Sequence, residues 1–186
     1  MNLSDAIVVL EKRVPDNFCD LVIAYINYIN EFEEKGVVGD SELKKSNSRI
    51  VKGYSLKKDK ITDIILHRHV NNIIKSNYIN YKAKFFQLKL DKLMQIDFLK
   101  YDIGGKYDIH HDHGYTCERT LSVILNLNEN YEGGDFVFYE QNAKTEMKRV
   151  KCKKGTVIMF PSNFLYPHAV EPITKGTRYS IVSWLV

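Results

Sequence analysis

Residues Tyr101–Asp112 read YDIGGKYDIHHD, and the expectations for the rest of the chain grow from this stretch. The segment 106–112 has the character of a β-strand. Side chains alternate faces along a strand, so His110 and Asp112 are expected to point the same way, about 7 Å apart along the backbone. A neutral imidazole and a carboxylate on one face are two of the three protein donors of a 2-His-1-carboxylate metal site. Such a site then needs a second histidine, an anchor for whatever shares the metal, and a rigid frame.

The frame is legible around it. From Lys84 onward the sequence breaks into short β-rich segments separated by Gly, Asn and Pro, with strands expected near 85–90, 94–101, 106–112, 119–127, 135–140, 145–152, 156–160, 166–171 and 178–186. Gly133-Gly134 and Lys154-Gly155 mark turns. Before them, 6–12 (AIVVLEK) reads as a strand ended by Pro15. Asp16 then reads as the N-cap of a helix from Asn17 to Glu34, with Phe18, Leu21, Val22, Tyr25, Ile26 and Ile29 at helical spacing. A second helix is expected over Thr62–Asn77, its stripe formed by Ile64, Ile65, Val70, Ile73 and Ile74. His67 and His69 on it read as surface or packing residues. Two helices followed by many strands predict an α+β chain with a jelly-roll or small-barrel core. The polar, lysine-rich stretch 36–60 reads equally as a solvated loop or as a flap over a site.

Size and composition fit one domain spanning 1–186, divided into 1–83 (strand, helices and possible lid) and 84–186 (the β-rich core). The net charge of +4 permits an acidic partner, but no basic helix or RNA-binding signature accompanies it, so no nucleic-acid partner is expected. Cys19, Cys117 and Cys152 are odd in number and widely spaced, which fits a reduced compartment better than a zinc or disulfide framework. The first ten residues lack a basic n-region, and no apolar run approaches the ~20 residues of a membrane span. The expectation is a soluble, cytoplasmic protein.

His168, in a late strand, is the candidate for the second imidazole; on its own a histidine there is more often a satisfied core residue, and what raises it is the arginine beyond it. Arg178 follows ten residues later in RYSIVSW. Two antiparallel strands joined by a turn over Pro172–Thr177 would carry them side by side, so that metal ligand and guanidinium address opposite ends of one small dicarboxylate. Arginine suits that task because its planar fork binds a carboxylate bidentately and stays charged when buried. A core salt bridge is the competing reading, weakened by the scarcity of acidic residues near the C-terminus.

These residues form a longer pattern. Tyr101, Gly104, Tyr107, His110 and Asp112 match YxxGxxYxxHxD. They are followed by Arg119 in ERTLSVILNLN, by GGDFVF and KKGTVIMFP, and finally by HAVEPITKGTRYSIVSW with His168, Arg178 and Trp184. Over roughly its last hundred residues the chain resembles the Fe(II)/2-oxoglutarate-dependent oxygenases, in the branch holding prolyl 4-hydroxylases and PKHD-type hydroxylases. The resemblance implies a double-stranded β-helix (jelly roll) with the N-terminal helices packed on one sheet. It implies Fe(II) held by His110, Asp112 and His168, with 2-oxoglutarate paired to Arg178 and helped by Tyr101 and Ser180. O2 and ascorbate are the further co-reactants it brings. The activity implied is hydroxylation of an unactivated C–H, with succinate and CO2 released. Tyr107, Arg119 and Trp184 stand at spacings resembling those of prolyl hydroxylases, where such residues border the substrate pocket, so a proline accessible in a peptide or protein is the expected substrate. Barrel packing is the competing reading for Tyr107 and Trp184. One departure is Asn126, where family members often carry Tyr.

Two other readings share the region. His111 and His113 form HxH with Glu118 following, which resembles a cupin dioxygenase or isomerase site, although no glycine follows Glu118 where that pattern needs one. A non-catalytic jelly-roll binding module is the third, disfavoured by a complete ligand set.

Overall fold

The computed structural model describes residues 2–29, 31–34, 37–38, 43–44, 47–114 and 118–186. A 3-10 turn (Leu3–Ala6), closed by a capping box between Asn2 and Asp5, leads into β1 (Val8–Leu10) and α1 (Asp16–Tyr28). Next come β2 (Glu33–Glu34), β3 (Val37–Val38), β4 (Leu43–Lys44), β5 (Arg49–Ile50), β6 (Lys52–Ser55) and α2 (Ile61–Lys84). The remainder is β7 (Asp97–Tyr101), β8 (Lys106–His110), β9 (Leu121–Asn126), β10 (Glu132–Gly133), β11 (Phe136–Tyr139), β12 (Glu146–Val150), β13 (Val157–Pro161), β14 (His168–Val170), β15 (Ile173–Lys175) and β16 (Arg178–Leu185).

Two antiparallel sheets dominate. The larger runs β1-β13-β9-β16-β7-β6-β2 and the smaller β12-β11-β14-β8-β5, with two-stranded ribbons β10-β15 and β3-β4 beside them. Period-two alternation in the larger sheet builds two cores. Phe98, Val123, Leu125, Val157, Met159 and Ile181 face α1 and α2. Their neighbours Leu99, Ile124, Ile158, Phe160 and Val182 face the smaller sheet, whose Phe136, Phe138, Val150 and Val170 meet them. The helices therefore pack on one sheet, and the second core lies between the sheets. Uniform burial along β9, from Leu121 to Asn126, follows from this covering on both faces.

Several expectations change. Helix α1 begins after Pro15, which makes no side-chain cap, so Asp16 lies in the first turn instead of capping it. It ends at Tyr28 because the chain leaves to pair β2 with β6. Helix α2 continues to Lys84, and its buried stripe is Asp63, Leu66, Val70, Ile74, Asn77, Tyr78 and Tyr81, rotated away from Ile64 and Ile65, which are exposed. No strand forms over 85–90. Leu88 O and Leu90 N bond instead to the Tyr78 hydroxyl on α2. Within the 36–60 stretch, β6 joins the larger sheet beside β7 and β5 joins the smaller beside β8. That part is framework, not a lid. Positions 36, 39–42 and 45–46 of the same stretch lie outside the described residues.

Arg178 and His168 do not share a hairpin. Strand β14 pairs with β8 and β11 in the smaller sheet, whereas β16 pairs with β7 and β9 in the larger. The intervening β15 turns aside to pair with β10, and this separates the two residues onto facing sheets.

Candidate active site

His110 closes β8 directly opposite His168 in β14. The pairing of these strands contains a bulge, since His168 matches His110 but Val170 matches Tyr107. One extra residue on β8 leaves Asp108 and Ile109 both outward, and Tyr107 and His110 both inward despite their odd spacing. Each imidazole is oriented by a carbonyl two residues upstream. His110 Nδ1 donates to Asp108 O at 2.8 Å and His168 Nδ1 to Tyr166 O at 3.0 Å. A proton held at Nδ1 leaves the Nε2 lone pair for a metal.

Asp112 reaches the same point by a different route from the one its spacing implied. It lies beyond the end of β8 in a bend, where its N–H and that of His113 both donate to Ser162 O at the end of β13. Ser122 Oγ on β9 donates to Asp112 Oδ2 at 2.6 Å and contacts Ser162 Oγ at 2.8 Å. His110 Nε2 is 3.8 Å from Asp112 Oδ1, and His168 Nε2 is 3.8 Å from Asp112 Oδ2. One donor atom from each of the three lies within 4.8 Å of the others; among the described residues this is the one such cluster of His, Cys, Asp or Glu. Two nitrogens and a carboxylate oxygen suit a divalent iron, manganese or cobalt ion that keeps further positions open.

The electrostatics agree. Burial among Phe136, Phe138 and Phe160 pushes the His168 pKa down, with Asp112 pulling only partly back. Burial and the neighbouring His168 push His110 down as well. Burial opposes ionisation of Asp112, but the two histidines, Ser122 and Trp184 outweigh it and hold its carboxyl below the usual range. The resting site is thus two neutral imidazoles and a carboxylate, already deprotonated for a cation.

Arg178 begins β16 opposite Tyr101 on β7, is 1% exposed, and leaves Nε and Nη2 without a protein partner. Its guanidinium carbon stands 5.3 Å from the centre of the Tyr101 ring. Burial raises the Tyr101 pKa, Arg178 and Arg49 draw it back, and Asp112 pushes it up again, so the phenol senses both the guanidinium and the carboxylate of the cluster. Unsatisfied buried guanidinium donors are costly, and a carboxylate is the group that fits them. Ser180 is buried two residues along the same strand, on the face that Arg178 uses.

At the other side of the cluster Tyr107 stacks on His110, with centroids 3.4 Å apart, and carries Arg49 of β5 on its far face at 4.6 Å. Arg119 lies 3.5 Å over the Trp184 ring and donates to Asp112 O at 3.3 Å. Of the three residues expected at the substrate border, Tyr107 and Arg119 therefore touch the His–Asp cluster, and Trp184 lies buried beneath Arg119. His111 is exposed, His113 bonds through Nδ1 to Arg119 O, and Glu118 is exposed, so the HxH register forms no cluster. Cys117 lies outside the described residues. Sequence reasoning passed over Arg49, Ser122 and Ser162. Each gains its place through long-range pairing, and only the inward phase of Ser122 in a hydrophobic strand hinted at a polar task.

Comparison with known proteins fixes the relationship. Residues 96–186 match the model of the 2OG-Fe(II) oxygenase superfamily. They belong to that superfamily. Similar proteins include prolyl 3-hydroxylase 2 of Homo sapiens, 41% identical over 66 residues that cover 36% of this chain and 9% of that protein. A PKHD-type hydroxylase of Gloeothece citriformis is 33% identical over 100 residues, covering 50% of this chain and 43% of that protein. The chain thus spans under half the length of either relative. In fold it resembles a Trichoplax adhaerens prolyl hydroxylase solved with a hypoxia inducible factor peptide fragment. That match has a TM-score of 0.77 and 17% identity, covering 98% of this chain and 84% of the other. The oxygenase reading of the sequence, with its prolyl-hydroxylase-like character, stands. Among the described residues no helix is long and apolar enough to cross a membrane.

Proposed function

We propose that this protein is an Fe(II)- and 2-oxoglutarate-dependent dioxygenase hydroxylating a prolyl residue in a peptide or protein, with residues 1–186 acting as one domain and the facing sheets as a double-stranded β-helix. The observation that carries the proposal is the convergence of His110 Nε2, Asp112 and His168 Nε2 near a buried arginine with unpartnered donors. In this reading His110, Asp112 and His168 hold the iron, and Arg178, with Tyr101 and Ser180, anchors the co-substrate. Bound iron with 2-oxoglutarate supplies the oxidising chemistry: O2 is consumed, 2-oxoglutarate leaves as succinate and CO2, and one oxygen atom enters a substrate C–H bond.

The chain's own contribution is geometry. The carbonyls of Asp108 and Tyr166 hold both imidazoles in the ligating tautomer. Ser122 fixes one carboxylate oxygen of Asp112 and leaves the other toward the cluster. Phe136, Phe138 and Phe160 wall His168 from water. Tyr107, Arg119 and Trp184 present an aromatic and cationic border, suited to a pyrrolidine ring and the carbonyls flanking it. The prolyl relatives and the peptide bound to the Trichoplax adhaerens protein support this substrate class. Ascorbate enters the proposal as the reductant that returns iron to Fe(II).

The test is incubation with Fe(II), 2-oxoglutarate, ascorbate and a panel of proline-containing peptides, read by succinate formation and by a mass gain of one oxygen. Succinate released with no peptide modified, while a free amino acid gains oxygen, would replace the peptide substrate with a small molecule. No succinate under any condition would support a binding module.

A further inference from the structure

Tyr131 lies in the loop between β9 and β10, and nothing so far gives it a task. Its hydroxyl is aimed inward and held weakly, donating toward Asn126 Oδ1 at 3.4 Å and Cys152 O at 3.3 Å, both at the long limit for an O–H donor. Beside it stands Arg178, whose Nε and Nη2 have no partner. The two are packed together by a backbone device. Gly134 adopts φ +65, and a Cβ there would stand 3.3 Å from both Arg178 Cδ and Tyr131 Cε2, and 2.3 Å from Ile173 Cδ1. Only glycine lets the ring and the guanidinium close over this turn.

On β9, the position that faces the same space cannot donate. Asn126 is fully buried on β9, and its Nδ2 is spent on three carbonyls: Asn128 O at 2.5 Å, Cys152 O at 3.2 Å and Lys153 O at 3.2 Å. Its amide pins the loop that carries Tyr131, and its oxygen is an acceptor, repulsive toward any anion. A carboxylate on Arg178 therefore finds on the loop a hydroxyl donor beyond those of Tyr101 and Ser180, which the Asn126 position does not supply.

We propose that Tyr131 is a co-substrate-binding residue, donating through its hydroxyl to the distal carboxylate that Arg178 holds, with Asn126 fixing the loop that delivers it. The inference rests on the oxygenase reading above. Rotation of one O–H from two long contacts to a charged acceptor is all that binding requires of the residue, and a hydrogen bond to a charged group is among the stronger kind.

The experiment is calorimetric binding of 2-oxoglutarate and of oxalate to the Mn(II)-loaded protein under argon, for wild type and Tyr131→Phe. Oxalate carries the metal-chelating end without the distal carboxylate. Tyr131→Phe is expected to weaken 2-oxoglutarate about tenfold while leaving oxalate and Mn(II) affinity within about twofold. Unaltered 2-oxoglutarate affinity, or equal loss for both ligands, overturns the role of Tyr131 and leaves the oxygenase reading intact. Failure of the wild type to bind 2-oxoglutarate overturns both. The unfolding curve without ligand shows whether Tyr131→Phe keeps the fold. If it does not, Tyr131→Met serves the same comparison.

Discussion

Asp112 and Arg178 are both charged and deeply set, yet their loss should separate cleanly. Asp112→Ala removes the one anionic donor of the cluster, and Mn(II) titration should find binding lost while 2-oxoglutarate no longer chelates. Arg178→Met keeps most of the side-chain volume and should spare Mn(II) affinity while 2-oxoglutarate binding drops a hundredfold or more, consistent with about 3 kcal/mol for a charged hydrogen-bonded anchor. The reverse pattern would contradict the roles proposed. Ser122→Ala tests the support beneath Asp112: with its 2.6 Å bond gone, metal affinity should fall about 10- to 100-fold at nearly unchanged stability. All three members of the cluster were legible in the sequence because their residue types are distinctive. The path taken by Asp112 was not, because alternation fails after a bulge and a bend, and Ser162 that captures it lies fifty residues on.

At the scale of elements, Asp63 is the member that ties the N-terminal part together. It sits fully buried in the first turn of α2, accepting from Tyr54 Oη on β6 at 2.6 Å, from the Lys57 N–H at 2.8 Å and from Tyr25 Oη on α1. Burial opposes its charge, but these three bonds and Lys60 outweigh that and lower its pKa. Asp63→Ala would strand two phenols and an N–H, costing on the order of 3 kcal/mol. Urea unfolding should show the lost stability, with Mn(II) affinity unchanged because none of these groups touches the cluster. Here sequence patterning reached its limit. Hydrophobic period alone favoured Ile64 and Ile65 as the inward stripe, whereas Asp63 and Asn77 are the buried ones. Two-residue strands such as β2 and β5 have no period to detect, and the placement of β14 and β16 in different sheets is set by distant partners that local spacing does not encode.

For the whole molecule, the two depressed imidazoles make stability depend on acidity in a predictable direction. The unfolded chain takes up protons near the ordinary histidine pKa of about 6.5, while the fold refuses them at His110 and His168. In the presence of a chelator, folding free energy should therefore fall by up to about 1.4 kcal/mol per pH unit for each histidine as the solution passes below about pH 6.5. Asp112, shifted below its ordinary 3.8, adds loss of the same sign only in more acid solution. Urea midpoints at pH 7.5 and 5.5, compared with His168→Asn, test this, and a flat profile in the unsubstituted protein would refute it.

The three proposed ligands also come from opposite sides of the inter-sheet core. Both histidines ride on the smaller sheet, while the carboxylate is moored through Ser122 and Ser162 to the larger. A cation gripped by all of them is a rivet through two plates, fastening the sandwich along its rim. Stripped of its ion, the molecule should breathe there first, with amides of β8 and β14 exchanging hydrogen sooner than those of β9 and β16. Loading should slow them in proportion to how tightly the rivet is held.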